Sequence, residues 1–198
     1  MDLDPTQLAE ASPDRRTITT NAPAKINLAL AVDKPRSDGM HPIASWMTPI
    51  DLADDLTITR LEDDRLSRYA IVWHDDAPVP STIDWSITAD LAVRAHMALE
   101  QHVDRKLPVQ MKLEKRIPVG GGLGGGSSNA AGMLLAVNEL FDLELPREEL
   151  INIAINLGSD VPFFLARSAA TIEDMGQIVS PTPSVACDMV LVMPNFGC

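Results

Sequence analysis

Cysteine is scarce and late in this chain. Of 198 residues only Cys187 and Cys198 are cysteines, too few to staple a fold, and this suits a reducing cytoplasm. Basic residues are also in short supply. Sixteen Lys and Arg face 28 Asp and Glu, so the formal net charge is −12 and a nucleic acid or an anionic membrane surface would be repelled. No apolar run approaches the about 20 residues of a membrane span, and the N-terminus lacks the basic-then-apolar order of a signal peptide. Repeats and low-complexity stretches are absent. His96 and His102 are six apart, which is not a metal-ligand spacing on a helix, and both are expected on a helix surface. The protein is expected to be cytoplasmic.

Glycine is what the chain concentrates. Six of its eleven glycines lie within residues 120–126, in the stretch Pro118-Val119-Gly120-Gly121-Gly122-Leu123-Gly124-Gly125-Gly126-Ser127-Ser128-Asn129. An alternating segment precedes it (Val109, Met111, Leu113 against Gln110, Lys112, Glu114) and an apolar one follows, so the order is strand, loop, helix start. Glycines bring bare N–H groups close to a ligand, and Ser127 or Ser128 is expected to cap a helix whose N-terminus attracts anions. A phosphate chain is the natural guest. The Walker phosphate loop is ruled out, because Gly126 is followed by Ser127 and not by Lys. The dinucleotide fingerprint is formally met by Gly120, Gly122 and Gly125, but in so dense a run that match carries little information.

Residues 1–17 are polar and acidic and are expected to be a disordered extension. Ile26, Leu28, Leu30 and Val32 alternate with Lys25, Asn27, Ala29 and Ala31, which predicts a strand with one buried face and with Lys25 and Asn27 on the other. The turn from Lys34 to Pro42 delivers Met40 and His41 to the next strand. Two short strands, 45–50 and 56–60, are expected around an acidic turn at Asp51–Asp55, and another at 69–73. Helical spacing then runs over 83–102. Lys115 and Arg116 form a positive patch before the glycine run, either ordinary solvated charge or a phosphate-steering device. A buried helix follows Ser127, and another runs from Pro146 to the stop at Gly158. Asp160 comes next, before the apolar Val161–Leu165, and strands are expected at 169–172 and 189–193. This is an α+β pattern without a regular βαβ rhythm.

Three of these stretches resemble motifs of the GHMP kinase superfamily, in the same order. They are Ala22-Pro23-Ala24-Lys25-Ile26-Asn27-Leu28, the glycine run, and Gly158-Ser159-Asp160-Val161-Pro162-Phe163-Phe164, and the resemblance covers roughly residues 20–194. It implies a ribosomal protein S5 domain 2-like N-terminal domain over 18–167 and the start of a ferredoxin-like C-terminal domain over 168–198. The implied activity is ATP-dependent phosphorylation of a small-molecule alcohol, with Lys25 and Asp160 catalytic. Pro118, Val119, Gly120, Gly121, Gly122, Leu123, Gly124, Gly125, Gly126, Ser127 and Ser128 would hold ATP, and Ser127 or Ser128 would reach Mg²⁺. Asn27, Met40 and His41 would position the acceptor. Met40 stands where the family commonly has an aromatic that stacks on cytosine, and Asp90-Leu91 stands for an Asn-Leu pair near the adenine. The acceptor is thus expected to carry cytidine; a different alcohol, or a nucleotide-binding fragment without turnover, is the alternative. Since the family continues into a second domain, apolar surface near 163–193 should be uncovered and favour self-association.

Overall fold

The computed structural model describes residues 16–36, 39, 41–174 and 176–193. Met40, Cys198 and nearly all of the extension expected at 1–17 lie outside the described residues.

A long hairpin organises the sheet. Strand β1 (Thr17–Val32) pairs antiparallel with β2 (Ile43–Arg60) along its whole length. β2 gives its other edge to two partners: Ile43–Met47 to β5 (Ala170–Asp174), and Asp55–Arg60 to β4 (Val109–Lys115). β3 (Arg68–Trp73) lies parallel on β4, and β6 (Ile178–Pro181) antiparallel on β5. The order is β3-β4-β2-β5-β6 with β1 on β2, a mixed sheet in which the one parallel pair needs a crossover. That crossover is α1 (Leu91–His102). The sheet runs unbroken across the boundary expected at 167/168, since β5 and β6 extend the sheet that carries β1 and β4.

Helix α2 (Gly125–Leu140) is the central one, as its apolar girth predicts. Its Met133, Leu134, Val137 and Leu140 share one core with Leu56 and Ile58 of β2 and Met111 and Leu113 of β4, each side chain contributing about 1.5–3 kcal/mol of burial. Helix α3 (Arg147–Ile155) follows Pro146, with Glu148 and Glu149 in its first turn, and the short α4 (Val161–Leu165) follows Asp160. A second, smaller cluster joins Ala24 of β1 to Ile117 and Leu123 of the glycine loop, with Met193 packed against it.

Five expectations are corrected. The acidic stretch 51–55 is not a turn but the middle of β2, because Asp54 is fully buried there with its carboxylate satisfied by β4 and α2. The helix predicted from 83 begins at Leu91, where Asp90 accepts from the N–H of Ala92; only a 3₁₀ turn, Ile87–Ala89, precedes it. The face expected to be buried on β1 opens to solvent at its end, with Leu30 55% and Val32 59% exposed, while Lys25 is only 7% exposed. His96 is buried between α1 and β3 and not on a surface, whereas His102 lies outside and meets Glu149. Residues 182–193 form no strand, and the exposed large apolar side chains of the C-terminal region are Ile178, Val185 and Met189–Val192, while Phe163–Leu165 are buried.

Candidate active site

The glycine run leaves β4 at Lys115 and enters α2 at Gly125. Gly120, Gly122 and Gly124 take φ of 74°, 67° and 72°, while Gly121 and Leu123 between them do not. Gly124 itself is the left-handed N-cap of α2. Ser127 and Ser128 therefore stand inside the first turn and cap nothing, contrary to expectation; the helix starts three residues earlier because glycine accepts the left-handed position. The first-turn N–H groups have no intrahelical partner and carry the positive end of the helix dipole. Pro118 through Ser127 line a cavity of about 340 Å³ closed by Trp85, Asp90 and Leu91 from the start of α1. That volume lies in the range of small-molecule sites, ~300–1,000 Å³. Ser128 does not line it and opens instead on a second cavity between β1, β2 and α2.

Lys25 reaches this loop from β1. The β1–β2 register shifts once between Pro23 and Lys25 and again between Asn27 and Ala29, so irregularities that re-aim side chains flank the Lys25–Asn27 step. The main-chain N–H of Lys25 donates to Leu123 O at 2.8 Å, fastening the loop to the strand. Its Nζ donates to Asn27 Oδ1 at 2.9 Å and lies 3.6 Å from Asp160 Oδ2. Asn27 is oriented in turn: its Nδ2 donates to Ser45 Oγ at 2.7 Å, and Ser45 donates to Ala29 O at 2.8 Å. Asp160 occupies the N-cap position of α4, yet its carboxylate makes no capping bond and faces Lys25. Gly124 joins the two halves of the site. It lines the cavity, and a Cβ there would come within 2.9 Å of the Phe164 ring and 3.0 Å of Lys25 Cγ.

Lys25, Asn27, Asp160 and the loop thus converge, although residues 25 and 160 are far apart in the chain. His41 does not join them. It sits at the far end of the β1–β2 hairpin with Nδ1 at 2.9 Å from Asp33 O. Lys115 and Arg116 are neither solvated nor steering. Lys115 is buried against Asp54 at 2.6 Å, and Arg116 is held by Asp55 at 2.8 Å and Asp76 at 2.7 Å, so both charges are already neutralised. The Arg116 hydrogen bond keeps the Asp76 carboxyl below the usual carboxylate range.

Trp85 and Asp54 escaped the sequence reading, and Asn129, quoted there only as the end of the glycine stretch, was given no role. Asp54 had a usable signal, since it shares strand parity with Leu52, Leu56 and Ile58 and so falls on the buried face of a continuous strand. Among the described residues no group of three or more His, Cys, Asp or Glu gathers where a metal ion could be held. Oxygen donors are present at the start of α2: Ser127 lines the cavity, and Ser128 Oγ and Asn129 Oδ1 are buried with no hydrogen-bond partner. Such a donor set fits a hard cation brought by phosphates better than a protein cage.

A glycine-built helix N-terminus beside a carboxylate–ammonium pair is what a phosphoryl-transfer enzyme requires. In comparison with known proteins, residues 90–168 match the family model of GHMP kinases, N terminal domain. The chain's relatives narrow the class. A protein of Polaromonas sp. (strain JS666 / ATCC BAA-500), 38% identical over 193 residues and 98% of this chain, is named 4-diphosphocytidyl-2-C-methyl-D-erythritol kinase. A protein of the same name from Burkholderia mallei (strain SAVP1) is 40% identical over 88% of the chain. A crystal structure of 4-(cytidine 5'-diphospho)-2C-methyl-D-erythritol kinase, 34% identical, superposes with a TM-score of 0.66 over 83% of this chain and 55% of that one. The chain spans 62% and 56% of the lengths of those two relatives.

Proposed function

We propose that the protein transfers the γ-phosphoryl group of ATP to the 2-hydroxyl of 4-diphosphocytidyl-2-C-methyl-D-erythritol, a step of non-mevalonate isoprenoid precursor synthesis. The observation that carries this reading is the approach of Lys25 Nζ to Asp160 Oδ2, 3.6 Å, at the edge of a glycine-built helix N-terminus. The names of the relatives support the choice of acceptor.

Phosphoryl transfer asks a protein for alignment, charge neutralisation and a proton acceptor. The loop at 120–126 and the first turn of α2 hold the phosphate chain by N–H groups. Asp160 takes the proton of the acceptor hydroxyl as its oxygen bonds to the γ-phosphorus and the bond to the ADP oxygen breaks. Lys25 neutralises the transferring group and pairs with Asp160, and Asn27 holds the Lys25 side chain in place. Mg²⁺ would supply charge compensation to the phosphates when bound, and Ser127, which lines the cavity, would hold it. His41, at the hairpin end, is the described residue we assign to the cytidine head, with Met40 beside it in the sequence.

Among the described residues no helix is long and apolar enough to cross a membrane. With a net charge of −12 and an exposed free Cys187, a cytoplasmic protein without nucleic-acid or membrane partners fits this chemistry. The test is phosphoryl transfer to a panel of alcohols with ATP. The cytidine-linked acceptor should be phosphorylated in preference to homoserine or mevalonate; equal turnover of all three would overturn the assignment.

A further inference from the structure

Asp54 is 0% exposed and holds four donors. Its Oδ1 accepts from the main-chain N–H groups of Arg116 and Ile117 at 2.6 and 2.8 Å, and its Oδ2 from Lys115 Nζ at 2.6 Å and Asn129 Nδ2 at 2.9 Å. These donors fall into two groups. Lys115, Arg116 and Ile117 are the end of β4 and the way into the glycine loop, whereas Asn129 stands one turn inside α2, just past the loop's end. From the middle of β2, Asp54 therefore ties together both feet of the loop. Two oxygens offer about four lone-pair sites, so the carboxylate has no capacity left for a ligand or a proton in transit. Its role is geometric. The same contact orients Asn129, whose amide nitrogen is turned to Asp54, and Lys115 and Asn129 both line the glycine-run cavity.

We propose that Asp54 is a positioning residue for nucleotide binding: it holds the two feet of the glycine loop at the separation at which the loop's N–H groups converge on a phosphate chain. The proposal rests on reading that cavity as the nucleotide site. A loop freed from this strut would have to be ordered by the ligand, and that cost would appear as lost affinity for phosphates, not for the nucleoside, which meets other walls. A merely structural ion pair predicts something else: a lower melting temperature with unchanged preference among nucleotides.

The experiment titrates ATP, ADP and adenosine calorimetrically into the wild type, Asp54→Asn, Asn129→Ala and the double variant, below each melting midpoint. In Asp54→Asn a donor replaces an acceptor against Lys115 and Asn129. ATP affinity should fall about tenfold or more while adenosine binding changes by less than about twofold. Asn129→Ala should act in the same direction, and the double variant should be no worse than Asp54→Asn alone, because the two residues share one contact. If wild type gains no affinity from adenosine to ATP, the reading of the cavity fails. If it gains and Asp54→Asn keeps the gain, or loses ATP and adenosine in equal proportion, this inference fails and that reading stands. Should Asp54→Asn not fold, Asn129→Ala carries the same comparison, with the same outcomes decisive.

Discussion

Asp160 is the residue proposed to accept the proton, and its surroundings make a sharp prediction. Its carboxylate neither caps α4 nor lines the glycine cavity, and its charged partner is Lys25. Asp160→Asn keeps the shape and removes the proton acceptor. Turnover should fall by about 100- to 10,000-fold with ATP affinity unchanged, read by ADP release and calorimetry on the same preparations. Gly124 supports the opposite dissociation. Valine there would have to take a left-handed φ of 72° with its Cβ against Phe164 and Lys25. Gly124→Val should weaken ATP binding by about 1–3 kcal/mol; an unchanged titration would remove the loop from the phosphate site. Gly125→Val should act likewise by pressing on Ile117, whose side chain would lie 2.9 Å from the new Cβ.

Among the elements, α1 carries a pH dependence. His96 accepts from the Tyr69 hydroxyl of β3 at Nδ1, 2.8 Å, and donates from Nε2 to Leu107 O, 2.7 Å, an arrangement that needs the neutral ring. Burial pushes its pKa below the usual 6.5, against the pull of the Leu107 carbonyl and Glu100, while Lys106 lowers it further. The unfolded chain then binds one more proton than the folded one below about pH 6.5, so stability falls as pH drops through that value, by at most ~1.4 kcal/mol per pH unit. Denaturant titrations of wild type and His96→Gln from pH 7.5 to 5.5 should differ in slope by this amount; parallel curves would contradict it. Burial also explains what the sequence hid. The glycine run, the Lys25 and Asp160 segments, and the centrality of α2 were legible, because local spacing and clustering encode them. The continuity of β2 was not, since Asp51, Asp54 and Asp55 mimic a turn and only donors from residues 115–117 and 129 keep Asp54 in a strand. The burial of His96 depends in the same way on Tyr69 and Leu107, contributed by other parts of the chain.

At the scale of the whole molecule, the cavity at the glycine loop is built by elements that all belong to one sheet and its helices, whereas β1 is open to solvent at Leu30 and Val32. ATP binding should therefore be testable on this chain, and transfer on a form extended to the length of its relatives, of which the chain spans 62% and 56%. Val190 and Val192, 89% and 84% exposed, mark where the chain should self-associate; light scattering of Val190→Ser/Val192→Ser against wild type should show smaller species. Phosphorus NMR of the extended form with ATP, Mg²⁺ and the cytidine-linked acceptor tests the central claim most directly, comparing wild type with Asp160→Asn. The account predicts a new phosphate ester at the 2-hydroxyl in wild type, and in the variant ATP that is bound but intact. Equal ester formation by both proteins, or bound ATP that wild type never transfers to this acceptor, would contradict it.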